Sequence, residues 1–228
     1  MDGTGELLGP FVRALPPGFE ATVVAYPADH PLGYSELRPL VDAAIPKAGP
    51  YILVAESFSG PLAILHAAAR PPGLRALVLS ATFASNPLPP SVRAIGVLAR
   101  PSLFRIRTTP AFVRHFLAGR DVKPDVLELV MSVAGRLAPE VMAHRLRQVL
   151  DVDVEESLPR IEVPVLYLRA SRDRVVGKRA MNRIAARVAD FRPVALDCHH
   201  LLLQTRPEEA VREMLRVVRR TEPDPRRR

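Results

Sequence analysis

The sequence predicts an α/β protein in which a mostly parallel sheet is sandwiched between helices. Short apolar runs rich in β-branched residues alternate with stretches of helical periodicity, which is typical of βαβ units. The runs are apolar nearly throughout rather than at every second position, as expected of strands buried on both faces. One run, Tyr51–Ala55, stops at a serine and passes directly into a helical stretch.

The elements follow from these patterns in chain order. Apolar, β-branched runs predict five strands: Ala21–Tyr26, Tyr51–Ala55, Ala76–Ser80, Val163–Leu168 and Pro193–Leu196. Apolar residues at helical spacing between and around them predict five helices: Glu6–Leu15, Glu36–Ile45, Pro61–Ala69, Lys178–Val188 and Pro207–Arg219. Strands separated by helices require crossover connections, so the strands should run parallel.

Residues 84–158 interrupt the alternation, because they contain helical pieces and no apolar run of strand type. The predicted pieces are Val92–Ala99, Ala111–Ala118, Pro124–Ala134 and Pro139–Leu150. We interpret this stretch as a helical cap inserted over the carboxyl edge of the sheet. The domain prediction is therefore a core of residues 1–83 and 159–228 and a cap of residues 84–158.

Length and composition bound the class of protein. A chain of 228 residues with 48% hydrophobic and 25% charged residues suits one folded domain with a substantial core. A single cysteine excludes an internal disulfide, and no apolar run approaches the ~20 residues of a membrane span. A cytoplasmic protein without a membrane span is the expectation.

The chain is basic, with a formal net charge of +8, and all but three of its 32 basic residues are arginines. Such a charge suits an anionic partner, and binding to nucleic acid is one hypothesis that it raises. Aromatic residues make up only 5% and form no platform with the basic ones, so no nucleic-acid partner is expected. We favour arginines spread over solvated helix faces.

The strand-to-helix junction at residues 55–60 carries the most specific chemical signal. It reads Ala-Glu-Ser-Phe-Ser-Gly, with small residues on both sides of Ser57. A sharp turn of this kind presents a serine nucleophile, and small neighbours are needed because the turn brings the strand and the helix close together. Ser57 is the predicted nucleophile, and Glu56 beside it is expected at a solvated rim.

A serine nucleophile needs a histidine base and a carboxylate that orients the base. In a parallel sheet such groups gather beyond the carboxyl ends of the strands. Asp173 follows the strand Val163–Leu168, and His199 and His200 follow Pro193–Leu196. We predict His200 as the base and Asp173 as its orienting acid, with His199 structural or pocket-lining.

Three segments resemble the α/β-hydrolase superfamily. Ala55–Gly60 is similar to its nucleophile elbow, Val165–Val176 to its acid segment, and Cys198–Gln204, followed by Arg206-Pro207-Glu208, to its histidine segment. The resemblance implies the α/β-hydrolase fold, N-terminally short, and the triad Ser57, Asp173 and His200. Cys198 and His199 replace the family's usual Gly-Pro, and Cys198 is expected to be an inert small hydrophobe.

The opening Met1–Leu8 resembles the loop that helps to bind the oxyanion in that family. The resemblance implies backbone donors from Phe58 and from Met1 or Asp2. The strand that leads into this loop in the family has no counterpart in the printed sequence. Either the natural protein starts upstream of Met1 or the enzyme is impaired, and we favour the upstream start because the triad looks unspoiled.

The predicted function is a serine hydrolase that cleaves a small or medium carboxylic ester through an acyl-enzyme. An acyltransferase, a thioesterase or a carbon–carbon hydrolase using the same triad stays open, as does a catalytically impaired relative acting in binding. No metal site and no cofactor are expected, the partner is a small acyl substrate, and the oligomeric state is left open. Weaker predictions for the substrate pocket are Phe83, Leu88, Phe104, Phe112 and Phe116.

Overall fold

The computed structural model describes residues 3–88 and 108–221 of the chain. Its centre is a four-stranded sheet with the strand order β1-β2-β3-β4. The strands are β1 (Tyr51–Glu56), β2 (Leu74–Ser80), β3 (Val165–Ala170) and β4 (Phe191–Leu196). All three pairings are parallel, with Leu53 beside Leu77 and Leu168 beside Val194. The predicted fold class is confirmed.

Helices connect and flank the strands. The α-helices of the core are α1 (Gly9–Arg13), α2 (Tyr34–Ala44) and α3 (Gly60–Ala68), and Pro110–Phe112 begins α4, which continues as a π-turn over Val113–Leu117. They are followed by α5 (Pro124–Arg136), α6 (Pro139–Asp151), α7 (Lys178–Ala185), α8 (Leu202–Thr205) and α9 (Pro207–Thr221). Short 3₁₀ turns lie at Glu6–Leu8, Ser57–Ser59 and Glu155–Arg160.

The sheet is buried between two helical layers. On one face, Ile64 of α3 and Ile184 of α7 pack with Leu77 and Tyr167. On the other face, Val211 and Met214 of α9 pack with Val78 and Leu166. Because both faces are covered, β2 and β3 are buried almost throughout, which explains why their sequences are apolar without alternation.

The predicted strand Ala21–Tyr26 is wrong in this structure. The segment is not in a helix or a strand, and most of it is exposed. A strand needs a neighbour with which to exchange hydrogen bonds, and the outermost strand on this side, β1, pairs with β2 alone among the described residues. One backbone bond, from Tyr26 N to Gly3 O at 2.5 Å, holds the segment's end.

The described part of residues 84–158 is mainly helical, with α4, α5 and α6 between β2 and β3. Its only β contact among the described residues is an isolated bridge between Ser85 and Asp153. Three predicted helices correspond to α4 with its π-turn, α5 and α6, whereas Val92–Ala99 lies outside the described residues. The boundaries of a separate cap stay a prediction.

Candidate active site

Ser57 lies at the sharp junction between β1 and α3. The strand ends at Glu56, and Ser57 has a φ of 52°, one of three positive values at non-glycine residues in the described chain. Such a backbone is strained for a serine and persists only where its surroundings impose it. Here the Thr82 hydroxyl donates a hydrogen bond to the Ser57 carbonyl and fixes the turn from the neighbouring strand end.

Gly60, at the start of α3, shows why small residues surround the serine. A Cβ at this position would lie 1.9 Å from Thr82 Oγ1 and 2.8 Å from Thr82 Cβ. No side chain fits there, because Thr82 occupies the space and is itself bonded to Ser57. The helix can therefore begin directly against the end of β2, as the sequence pattern predicts.

His200 and Asp173 reach Ser57 from the loops that follow β4 and β3. His200 Nε2 lies 2.9 Å from Ser57 Oγ, and His200 Nδ1 lies 2.9 Å from Asp173 Oδ2. Both side chains of the pair are nearly inaccessible, at 6% for His200 and 3% for Asp173. The structure thus brings together three side chains that are 27 to 143 positions apart in sequence.

The Asp173 carboxylate is fixed by its own loop. Its Oδ1 accepts hydrogen bonds from the amides of Val175 at 2.7 Å and Val176 at 2.9 Å. Oδ2 is then left for the imidazole, and a carboxylate accepts from an N–H at Nδ1. With the proton on Nδ1, Nε2 of His200 is free to accept the hydrogen of the Ser57 hydroxyl. This is the tautomer that a general base requires.

Glu56 is not the solvated rim residue that the sequence suggested. Its carboxylate accepts hydrogen bonds from Leu203 N at 3.2 Å and from Gln204 Nε2 at 2.7 Å, both just beyond His200. Burial raises the pKa of Glu56, and the bond from Gln204, the charge of His200 and the Leu203 amide oppose that rise. No local sequence signal marks this link, because the burial of Gln204 is a property of the fold.

Two neighbours of the triad have other roles. Cys198 is 3% exposed, and burial raises the pKa of its thiol to about 12, so it stays protonated and unreactive at neutral pH. His199 packs against Gly119, where a Cβ would lie 2.7 Å from its Nδ1. Partial burial, with the charges of Arg172 and Arg174, lowers the pKa of His199. An inert Cys198 and a structural or pocket-lining His199 stay predictions.

Phe58, the predicted oxyanion donor after the nucleophile, is held firmly. Its ring stacks on Tyr34 at a centroid distance of 4.7 Å, and the Tyr34 hydroxyl donates to the Phe58 carbonyl at 3.0 Å. The guanidinium of Arg145, from α6, lies 5.9 Å from the Phe58 ring centre. The other predicted donors, Met1 and Asp2, lie outside the described residues, and the oxyanion assignment stays a prediction.

The predicted pocket residues lie in different environments. Phe83 is 2% exposed and packs in the core with Phe58 and Leu62, whereas Leu88 is half-buried. Phe112 and Phe116 are exposed, and the centroids of their rings lie 5.1 Å apart. Phe104 lies outside the described residues.

The segment that bears the exposed Phe112 and Phe116 lies close to the triad. The amide of Leu201, directly after His200, donates to the Leu117 carbonyl at 2.8 Å. Phe116 is therefore one residue away from a contact with the histidine loop. A role for these aromatics in lining the substrate pocket stays a prediction.

Among residues 3–88 and 108–221, no group of three or more histidine, cysteine, aspartate or glutamate side chains is arranged to hold a metal ion. No helix within the same ranges has both the length and the apolar character to cross a membrane.

Comparisons with known proteins agree with this fold. The model of the family described as "Alpha/beta hydrolase family" matches residues 5–214. Among curated proteins, none matches the chain. Three solved structures with similar folds are an enol-lactonase from Burkholderia xenovorans LB400, a thermophilic esterase from Thermogutta terrifontis and a hydrolase from Oleispira antarctica.

The similarity to these structures extends over nearly the whole chain although the sequences have diverged. The enol-lactonase is 19% identical with a TM-score of 0.75, the esterase 18% with 0.71 and the Oleispira hydrolase 9% with 0.79. Each comparison covers 96% of this chain, and 88%, 87% and 88% of the respective partner. At these identities the likeness shows a common fold.

Proposed function

Because the chain belongs to the alpha/beta hydrolase family, we propose that it is a serine hydrolase that cleaves a small or medium carboxylic ester through an acyl-enzyme. The observation that carries the proposal is the position of His200, whose two ring nitrogens each lie 2.9 Å from a partner, Ser57 Oγ on one side and Asp173 Oδ2 on the other.

In the first half of the reaction His200 Nε2 takes the proton of Ser57 as Oγ attacks the ester carbonyl carbon. The imidazolium that forms is stabilised by Asp173, whose fixed carboxylate lies against Nδ1. The carbonyl oxygen becomes an oxyanion, and the amide of Phe58 is one proposed donor to it. His200 then gives its proton to the leaving alcohol, and the acyl group stays on Ser57.

In the second half a water molecule replaces the alcohol. His200 Nε2 takes a proton from the water as its oxygen attacks the acyl carbon. The second tetrahedral intermediate collapses, His200 returns the proton to Ser57 Oγ, and the carboxylic acid leaves. The same residues thus act twice, and the enzyme ends in its starting protonation state.

The small or medium acyl group is supported by the surroundings of the triad. Phe58 and Phe83 are packed tightly in the core, and the π-turn segment with its exposed aromatics is bonded to the residue after His200. One structural relative is an enol-lactonase and another is an esterase, and a lactone is itself a cyclic ester. We therefore place an ester first among the substrates of this triad.

The proposal is tested by Ser57→Ala, with hydrolysis of p-nitrophenyl acetate, butyrate and octanoate as the measurement. Turnover should fall to the buffer rate while the circular dichroism spectrum stays unchanged, because only the nucleophilic oxygen is removed. Ser132→Ala, an exposed serine in α5, is the matched control and should retain full activity. Undiminished turnover by Ser57→Ala excludes the mechanism.

A fluorophosphonate probe separates the remaining possibilities. Labelling of Ser57, found by mass spectrometry of the modified peptide, together with ester turnover supports the proposal. Labelling without ester turnover, but with turnover of an acyl thioester, indicates a thioesterase or acyltransferase. A folded protein that is neither labelled nor active acts in another way, such as binding.

A further inference from the structure

The side chain of Glu56 joins the strand that ends at the nucleophile to the loop that carries the base. Glu56 is the last residue of β1 and directly precedes Ser57, whereas Leu203 and Gln204 follow closely after His200. Its Oε1 accepts from the Leu203 amide at 3.2 Å, and its Oε2 accepts from Gln204 Nε2 at 2.7 Å. These contacts connect the two ends of the 2.9 Å distance between His200 Nε2 and Ser57 Oγ through the side chain of Glu56.

Glu56 also satisfies the start of α8, the short helix that follows His200. This helix has four residues, and its N-cap, Leu201, makes no side-chain hydrogen bond to it. The first amides of a helix have no acceptor inside the helix. The Leu202 amide donates back to the His200 carbonyl at 2.9 Å, and the Leu203 amide donates to Glu56. A carboxylate from β1 therefore does here what a local capping side chain usually does.

Both contacts lie in the protein interior. Leu203 is 0% exposed and Gln204 is 2% exposed, so water does not compete for their N–H groups. A buried donor that loses its acceptor costs about 1–3 kcal/mol. Without the Glu56 carboxylate, the Leu203 amide and the Gln204 side chain would both lose an acceptor. We expect the start of α8 to shift in response, and the imidazole loop to shift with it.

The other bonds of the imidazole loop lead away from the nucleophile. The Cys198 carbonyl accepts from the Arg172 amide at 3.0 Å, and the Leu201 amide donates to the Leu117 carbonyl at 2.8 Å. These partners belong to the loop after β3 and to the π-turn segment, so they hold the base relative to the acid and to that segment. The bonds of Glu56 hold it relative to the strand from which the nucleophile comes.

We propose that Glu56 is a positioning residue, whose carboxylate holds the start of α8, and through it the imidazole of His200, at proton-transfer distance from Ser57. This inference rests on the proposed function, in which His200 takes the proton of Ser57. The side chain of Glu56 acts through α8 and not on the reacting atoms. Its two hydrogen bonds do the positioning, and its charge is not required for it.

Two variants of Glu56 separate the hydrogen bonds from the charge. Glu56→Ala removes both. Glu56→Gln removes only the charge, because the new side-chain oxygen can accept from the Leu203 amide while its Nε2 donates to Gln204 Oε1. That oxygen is buried and has no hydrogen-bond partner among the described residues, and a rotation of the Gln204 amide brings it into place.

Glu155→Ala is the matched control. Glu155 is also a carboxylate that ties separate parts of the chain together, since it accepts from Ser85 and pairs with Arg187 of α7. Its side chain is 15% exposed. Its loss should lower the melting temperature without altering the alignment of the triad, which identifies effects of lost stability alone.

The first measurements are kcat and KM for p-nitrophenyl butyrate and the rate at which a fluorophosphonate labels Ser57, all well below the melting temperature. In Glu56→Ala both kcat and the labelling rate should fall about 10- to 100-fold, because a base displaced by about 1 Å costs up to about 10²-fold. KM should stay within about threefold. Glu56→Gln and Glu155→Ala should each retain kcat within about threefold of the wild type.

Two outcomes overturn the proposal. If Glu56→Ala melts earlier but keeps its full kcat and labelling rate, the role of Glu56 is only structural. If Glu56→Gln loses as much kcat as Glu56→Ala, the charge matters and not the hydrogen bonds. Should Glu56→Ala fail to fold, Gln204→Met removes one of the two bonds and should lower kcat about 3- to 10-fold at unchanged KM. A full kcat in that variant likewise overturns the proposal.

An NMR measurement decides the question independently of any turnover. The ¹⁵N shift of His200 Nε2 reports whether this nitrogen accepts a hydrogen bond, and Ser57→Ala supplies the value without the hydroxyl. The shift in Glu56→Ala should move toward that value, whereas Glu56→Gln should resemble the wild type. A wild type that neither labels nor turns over esters contradicts the proposed function. An unchanged Nε2 shift in Glu56→Ala contradicts the positioning role, whatever the activity.

Discussion

The two edges of the sheet are built differently. The outer strand β4 contains Pro193 and Arg192, which discourage pairing with a further strand. The loop after β4 holds His200, and the loop after the neighbouring strand β3 holds Asp173. The outer strand β1 begins with the apolar run Tyr-Ile-Leu-Val-Ala and is half-buried beside an apolar groove of about 1000 Å³, which residues 18–24 also line. The two outer strands of the described sheet are therefore protected from further pairing to different degrees.

The proposed active site draws on both sides. The acid and the base lie in the loops after β3 and β4. There the Asp173 carboxylate is hydrogen-bonded to the amides of Val175 and Val176 and to the imidazole of His200. The nucleophile and the Phe58 amide come from β1, beside the groove. The proposed site therefore combines groups from both halves of the sheet.

The largest expected effect is a loss of kcat in Asp173→Asn, in the loop after β3. An amide cannot hold the proton on Nδ1 of His200 as the carboxylate does, so kcat for an ester should fall about 10⁴-fold. Melting temperature should change little, because Val175 and Val176 can still donate to the side-chain oxygen. Asp197→Asn, an exposed carboxylate in the adjacent loop, is the matched control and should leave kcat unchanged. Comparable losses in both variants would contradict the assigned role.

An intermediate effect is expected when the stability of the outer strand β1 is compared with that of the interior strand β2. Leu53 and Leu77 are register partners in β1 and β2 and pack in the same core cluster, but Leu77 is fully buried and Leu53 borders the groove. In residues 1–228, Leu77→Ala should lower the free energy of unfolding by about 2–5 kcal/mol, as fully buried leucines do. Leu53→Ala should lower the free energy of unfolding by less, because the Leu53 side chain is only partly buried in the wild type.

Urea denaturation of the two variants measures this difference. If the two losses are equal in residues 1–228, the groove is not an underpacked region of the fold.

The smallest effect should come from Glu56→Gln, which changes the link between β1 and the histidine loop. Burial raises the pKa of Glu56, so the folded protein binds this proton more readily than the unfolded chain does. This group therefore contributes most stability below its ordinary pKa of 4.5, and the contribution is lost as the pH rises through the raised value.

Denaturation of the wild type and of Glu56→Gln at several pH values tests the sign. The glutamine variant lacks the titration, so the stability of the wild type relative to the variant should decline from pH 4 upward and then level off. The difference at any one pH should stay within about 1.5–3 kcal/mol, the range for one hydrogen bond to a charged group. A wild type that gains relative stability over that interval would show that the carboxylate is favoured, not disfavoured, by its surroundings.

Local sequence patterns were sufficient for much of the fold and for the candidate triad. Short-range signals mark Ser57, because a strand, a tight turn and a helix are decided by neighbouring residues and by the space that Gly60 leaves for Thr82. The order of strands and loops then brings Asp173 and His200 to the same end of the sheet, since parallel strands share one carboxyl edge. Apolar runs without alternation likewise predicted that β2 and β3 are covered on both faces.

Features that depend on distant partners could be decided only by the tertiary structure. Glu56 looked exposed in sequence, and only the fold shows that Leu203 and Gln204, about 150 positions away, bind its carboxylate. Ala21–Tyr26 has the composition of a strand, but composition does not supply a hydrogen-bonding neighbour, and none is present beside it among the described residues. The physical reason is the same in both cases: a strand or a buried charge is stabilised by groups remote in sequence, which local patterns do not specify.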